Sequence, residues 1–148
     1  MIRGALIIVF VYLCACLVAV AASGPPPKPC VHAQRVQSIK MDVSKYPNIV
    51  DHIRDAQRAG YPRVLTINRL FADERRDKLL NQRVNGHLRY PTKRGMDRDE
   101  FAPASLRDTV KADVRWVPSG ENRSAGASMG NQMSRWCDGV RVRFRFVP

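Results

Sequence analysis

The sequence predicts a small single domain of the α+β class, a short antiparallel sheet flanked by helices. Three observations lead there. A chain of 148 residues, 45% of them apolar, can enclose one core and little more. Helical and alternating apolar periods both occur along it. No internal repeat groups them into a larger array.

The elements follow in order. Arg3 is the only charge before Lys28, and between them Ala5 to Ala22 is unbroken apolar sequence. That is the pattern of an export signal, with Ala19, Ala21, Ala22 and Ser23 offering cleavage near 21–23. A retained anchor is the alternative, because the stretch approaches the roughly 18 to 20 residues that span a bilayer. The expected division is 1–22 as signal, 23–43 as a Pro-rich arm with a possible first strand, and 44–148 as the working domain. Cys14 and Cys16 leave with the signal. Cys30 and Cys137 remain, and in an oxidising compartment such a distant pair reads as a disulfide. No set of residues is spaced for zinc.

Val36, Ile39 and Met41 mark the possible first strand. Pro47 suits a first helical turn, Ile49, Ile53 and Ala56 keep helical spacing, and Gly60 closes a helix over 47–59. Val64 to Ile67 is a short buried strand, and Ala72 to Gln82 a second helix. Asn85-Gly86, Pro91 and Gly95, set among Arg83, Arg89, Lys93 and Arg94, make 83–96 a basic loop. Val114 to Val117 is a strand, Pro118-Ser119-Gly120 a turn, and Met129, Met133 and Trp136 the apolar stripe of a third helix. Last, Val140, Val142, Phe144 and Phe146 alternate with Arg141, Arg143 and Arg145, a strand with one apolar and one cationic face.

Charge narrows the partners. With 25 Lys+Arg against 13 Asp+Glu, the formal net charge is +12, which favours phosphate-rich polymers or anionic surfaces. Against that background Asp97-Arg98-Asp99-Glu100 stands out, because carboxylates repel a polyanion unless they hold a cation or take a proton from water. Hydrolysis of a phosphodiester uses both services. Glu121-Asn122-Arg123 and Asn131-Gln132 add amide oxygens suited to magnesium or manganese and a guanidinium suited to phosphate. Read by residue type alone, the same groups are equally ordinary turn residues. His32, His52 and His87 do not cluster, so no histidine-based site is indicated, although His52 can lie near one in space.

The run Pro91-Thr92-Lys93-Arg94-Gly95-Met96-Asp97-Arg98-Asp99-Glu100, with Glu121-Asn122-Arg123 and Gly130-Asn131-Gln132-Met133, resembles the NucA/NucB deoxyribonuclease family. Tyr46-Pro47, His52-Ile53, Asp55-Ala56, Thr66-Ile67, Ala72-Asp73-Glu74-Arg75-Arg76, Asp138-Gly139 and Arg141-Val142 match in the same order. The resemblance implies a secreted, metal-dependent nuclease that cuts DNA with little sequence preference, and a ββα-metal (His-Me finger) unit in which Asp99 or Glu100 replaces the histidine base. By that likeness Asp99 is the favoured base and Glu100 its rival. Asn131, with Asn122 as rival and Glu100 in support, holds Mg2+ or Mn2+, and Arg98 and Arg123 steady the phosphate. Arg75, Arg76, Lys93, Arg94 and Gln132 are expected to contact DNA. A monomer is expected, with no stable membrane association once the signal is removed, and RNA is the alternative substrate.

Departures from the family pattern are Phe101-Ala102-Pro103, with its proline one place late, Leu65 and Ser105 in place of a cysteine pair, Asn68 in place of Asp, and extra residues at 82–90. Cys30 with Cys137 stands in for the missing bridge. The rival from another class is a secreted cationic protein that binds nucleic acid or an anionic surface without catalysis.

Overall fold

A computed structural model describes residues 29–107 and 109–148. The expected signal at 1–22 and the first part of the arm lie outside them. The order is β1 (Gln37–Asp42), α1 (Pro47–Arg58), β2 (Leu65–Thr66), α2 (Ala72–Leu80), β3 (Arg83–Val84), β4 (His87–Leu88), β5 (Met96–Phe101), a 3-10 turn (Ala104–Leu106), β6 (Asp113–Pro118), α3 (Ser119–Met133) and β7 (Arg141–Val147). This is the α+β domain that the sequence predicts. Among the described residues, no helix is long and apolar enough to cross a membrane.

β7 is the centre of a three-stranded sheet, parallel to β1 and antiparallel to β2. Its alternation is the expected one: Val142 is buried, Phe144 and Phe146 are half-buried opposite Ile39 and Met41 of β1, and Arg141, Arg143 and Arg145 are exposed. One face of the sheet therefore meets the core and the other meets water. α1 covers the core with Ile49, Val50, Ile53 and Ala56, and α3 with Ala125, Met129 and Met133. A smaller cluster of Leu79, Leu80 and Ala112, joined by Tyr90 and Val114, seats α2.

Two boundaries depart from the sequence reading. Pro118-Ser119-Gly120 is the entry to α3 itself, Pro118 at the N-cap and Ser119 already helical, while Trp136 lies beyond the helix end. Within the basic loop, Asn85 and Gly86 have φ of 51° and 81° and join β3 to β4 as a tight hairpin, the turn that Asn-Gly favours.

Two ties fix the frame. Cys30 and Cys137 form the expected disulfide across 107 residues. Backbone bonds between Val31 and both Arg135 and Cys137 hold the arm in place there. Glu121 serves a helix other than its own: Tyr46 offers α1 no side-chain cap, so the Glu121 carboxylate accepts from Ile49 N at 3.0 Å and Asn48 Nδ2 at 2.7 Å. The carboxylate thereby faces the positive ends of α1 and α3 together.

Candidate active site

β5 and β6 form an antiparallel ladder that runs directly into α3. Asp97 to Glu100 are thus strand residues rather than a solvated turn, and the two-residue period sorts them. Asp97 and Asp99 share a face with Phe101 and meet α1 and α3, while Arg98 and Glu100 point towards α2. A charged sequence survives as a half-buried strand because each side chain finds a polar partner.

Asp97 accepts from Ser119 Oγ at 2.7 Å and from Arg123 Nε at 3.1 Å. The Arg123 hydrogen bond, joined by that of Ser119 and by Asn122, holds the Asp97 carboxyl below the usual range, against a smaller effect of burial. Asp99 is 12% exposed, and its Oδ2 lies 2.5 Å from Nδ1 of His52. Its Oδ1 has no hydrogen-bond partner among the described residues. Glu100 is buried with both oxygens in ion-pair contact, Oε2 2.7 Å from Arg107 Nη2 without hydrogen-bond geometry and Oε1 3.3 Å from Arg76 Nε.

These acids border a cavity of about 530 Å³ between α2, the free edge of β5, and α3. Asn122, Gly126 and Gly130 line it from successive turns of α3, with Met129 and Met133 beneath. Helix-interior glycine costs up to about 1 kcal/mol relative to alanine, and here the two glycines leave the wall open. A larger cavity of about 650 Å³ borders Tyr61, Leu65, Ala102 and Arg107, but among the described residues no Asp, Glu or His lines it. The Glu100–Arg107 pair stands between the two.

The structure brings together Asp97, Arg98, Asp99, Glu100, Asn122, Arg123 and Arg76, and it moves several expected residues elsewhere. Asn131 is exposed and absent from the cavity wall. At about 100° per residue, nine positions place it on the side of α3 opposite Asn122. Glu100 has its carboxylate occupied by two guanidinium groups, which leaves it poorly placed as a base or a metal ligand. Arg98 donates to the carbonyls of Leu80 and Tyr90 at 3.1 and 3.0 Å, so it closes the C-terminal end of α2 rather than meeting a phosphate.

Arg75 is likewise unavailable to DNA, being buried on the carbonyls of Asn68, Leu70 and Ala104. Gln132 accepts from Lys40 N at 2.8 Å and donates to Lys40 O at 2.9 Å, so it completes the edge of β1. Arg76, Lys93 and Arg94 remain exposed, with Lys93 lying 3.9 Å over the Trp116 ring.

His52 was not singled out for the site by sequence. Its imidazole is fully buried and lies between two carboxylates, with Nε2 3.1 Å from Oδ2 of Asp113. On α1 it falls within the apolar stripe of Ile49, Ile53 and Ala56, so periodicity alone gives it a core position. Its partners come from 47 and 61 residues away.

Fold and site together define a small α+β domain built on a ββα unit, with carboxylates and an amide gathered in a cavity edged by arginine. No family model matches the chain. The chain is similar to the DNA-entry nuclease of Bacillus subtilis (strain 168), 35% identical over 101 residues, which cover 68% of this chain and 64% of that protein. It therefore spans slightly less than two thirds of that relative's length. This likeness supports the NucA/NucB nuclease family, which the sequence resembles.

Proposed function

We propose that the protein is an exported, metal-dependent endonuclease that hydrolyses DNA phosphodiester bonds with little sequence preference. The observation that carries this is Asp99, held through one oxygen by buried His52 and left with its other oxygen unengaged, in a cavity it shares with Asn122 and Arg123. The printed name of the Bacillus subtilis relative supports DNA as the substrate, the net charge supports a polyanion, and the disulfide supports an oxidising compartment.

The donor set fits a hard divalent cation. Asn122 and Asp97 supply neighbouring oxygens and would hold it, completed by water and substrate phosphate, an arrangement in which magnesium needs only one or two carboxylates. When bound, the ion neutralises phosphate charge and eases deprotonation of water. Asp99 Oδ1 takes the proton from the attacking water. Arg123 and Arg76 bind non-bridging phosphate oxygens, and the exposed cations at Lys93 and Arg94 draw in the backbone. These attractions weaken with salt.

A non-catalytic binder is the second reading. Its support is the net charge of +12, which draws a polyanion with or without catalysis. Incubating the protein with supercoiled plasmid separates the two. The enzyme nicks and then degrades the plasmid with Mg2+ or Mn2+ and stops on addition of chelator. Plasmid left intact across a metal series, with binding retained, establishes the binder.

A further inference from the structure

We infer that His52 is the positioning residue for Asp99: its buried imidazole fixes one carboxylate oxygen so that the other is presented to the cavity. This rests on the reading of Asp99 as the base. A free aspartate rotates about two side-chain torsions, and a carboxylate that samples several orientations spends little time aimed at a water. Here Oδ2 is held at 2.5 Å by a ring that is fully buried, and Oδ1 has no competing partner among the described residues.

The ring is itself fixed. α1 sets its backbone, Ile49, Ile53 and Ala56 hold the same helix face in the core, and Asp113 engages Nε2 from β6. Carboxylate oxygens only accept, so wherever a ring nitrogen bonds one of these carboxylates the nitrogen is the donor, Nδ1 to Asp99 and Nε2 to Asp113. Asp113, with its side chain 42% exposed, orients the ring from behind, as a third group orients a base in other acid-base sites. The arrangement needs three elements at once: β5 for Asp99, α1 for His52 and β6 for Asp113.

Substitutions that keep one end of the ring distinguish positioning from filling. In His52→Asn the amide NH2 stands near the place of Nδ1 and still reaches Asp99. In His52→Gln it stands near the place of Nε2 and reaches Asp113 instead. The experiment measures kcat and KM for plasmid cleavage by the wild-type protein, Asp99→Asn, His52→Asn and His52→Gln, with thermal melts of each. We expect His52→Gln to lose on the order of 10–100-fold in kcat with KM little changed, and His52→Asn to keep kcat within about threefold.

Equal losses in the two variants, or a loss confined to KM, overturn the inference and leave the nuclease reading intact. A wild-type protein that does not cut overturns that reading first. One further measurement needs no folded variant at His52. The wild-type protein should show a slowly exchanging imidazole Nδ1–H proton by NMR that Asp99→Ala, which removes the acceptor, abolishes, and its absence in the wild type also overturns the inference.

Discussion

Asn122 and Asn131 offer the same amide on the same helix, and the fold separates them. Nine residues of α3 turn through a net angle of about 180°. Asn122 therefore lines the cavity beside Asp97, and Asn131 faces water with its backbone carbonyl held by Ser134. Asn122→Ala removes an oxygen donor from the proposed cation site. Groups of that kind are worth on the order of 10–100-fold in metal affinity or rate, or about 1.4–2.7 kcal/mol. Asn131→Ala removes an exposed amide and changes stability by no more than about 0.5 kcal/mol.

The assay is the initial rate of plasmid nicking across a Mg2+ or Mn2+ titration. Asn122→Ala should shift the half-saturating metal concentration upward or lower the plateau by that factor, while the Asn131→Ala curve overlays the wild type. An impaired Asn131→Ala beside a normal Asn122→Ala would refute the helix geometry on which the assignment rests.

Two further predictions concern the scaffold. Glu121→Ala deprives Ile49 N and Asn48 of their acceptor and should cost about 0.5–2 kcal/mol, seen as a lower urea midpoint with an unchanged m-value, whereas a midpoint equal to the wild type removes Glu121 as the cap of α1. Asp42 turns the chain from β1 into α1, and the Ser44 hydroxyl followed by Lys45 N holds its carboxyl below the usual range. A depressed carboxylate stabilises the fold above its unfolded pKa, and that stability is lost as pH falls through the folded value. Asp42→Asn should thus melt earlier than the wild type at neutral pH, with the gap closing in acid, and a gap that widens in acid contradicts the turn.

Elements governed by local rules were legible in the sequence. α1 begins at Pro47 and ends before Gly60, whose φ is +96°, and β7 keeps its alternation. What escaped was set by distant partners. Asp97 to Glu100 carries too much charge to read as a strand until Arg107, Arg123, Ser119 and His52 arrive from other elements. The arginines posed the opposite difficulty. In a chain with 25 Lys+Arg, nothing local separates Arg75 and Arg98, spent on backbone carbonyls, from Arg76, which reaches the cavity. Residue type suggested the chemistry, and only tertiary geometry decides which Asn and which Arg line the cavity.

The same geometry answers how carboxylates persist in a groove suited to polyanions: each has its own partner, and the partners differ in how readily they can leave. Arg123 is 76% exposed, and an ion pair so placed contributes little net stability. It can exchange Asp97 for an incoming phosphate and free a carboxylate oxygen for a cation. Arg107 is 5% exposed and Glu100 6%, so neither can leave its partner without being stranded, a loss of about 3–5 kcal/mol for pairs of this kind. Inactivity of a Glu100→Gln protein would accordingly report a damaged wall between the two cavities, and would not make Glu100 a catalytic residue. The proposed chemistry accordingly rests on the oxygens of Asp97, Asp99 and Asn122, and not on those of Glu100.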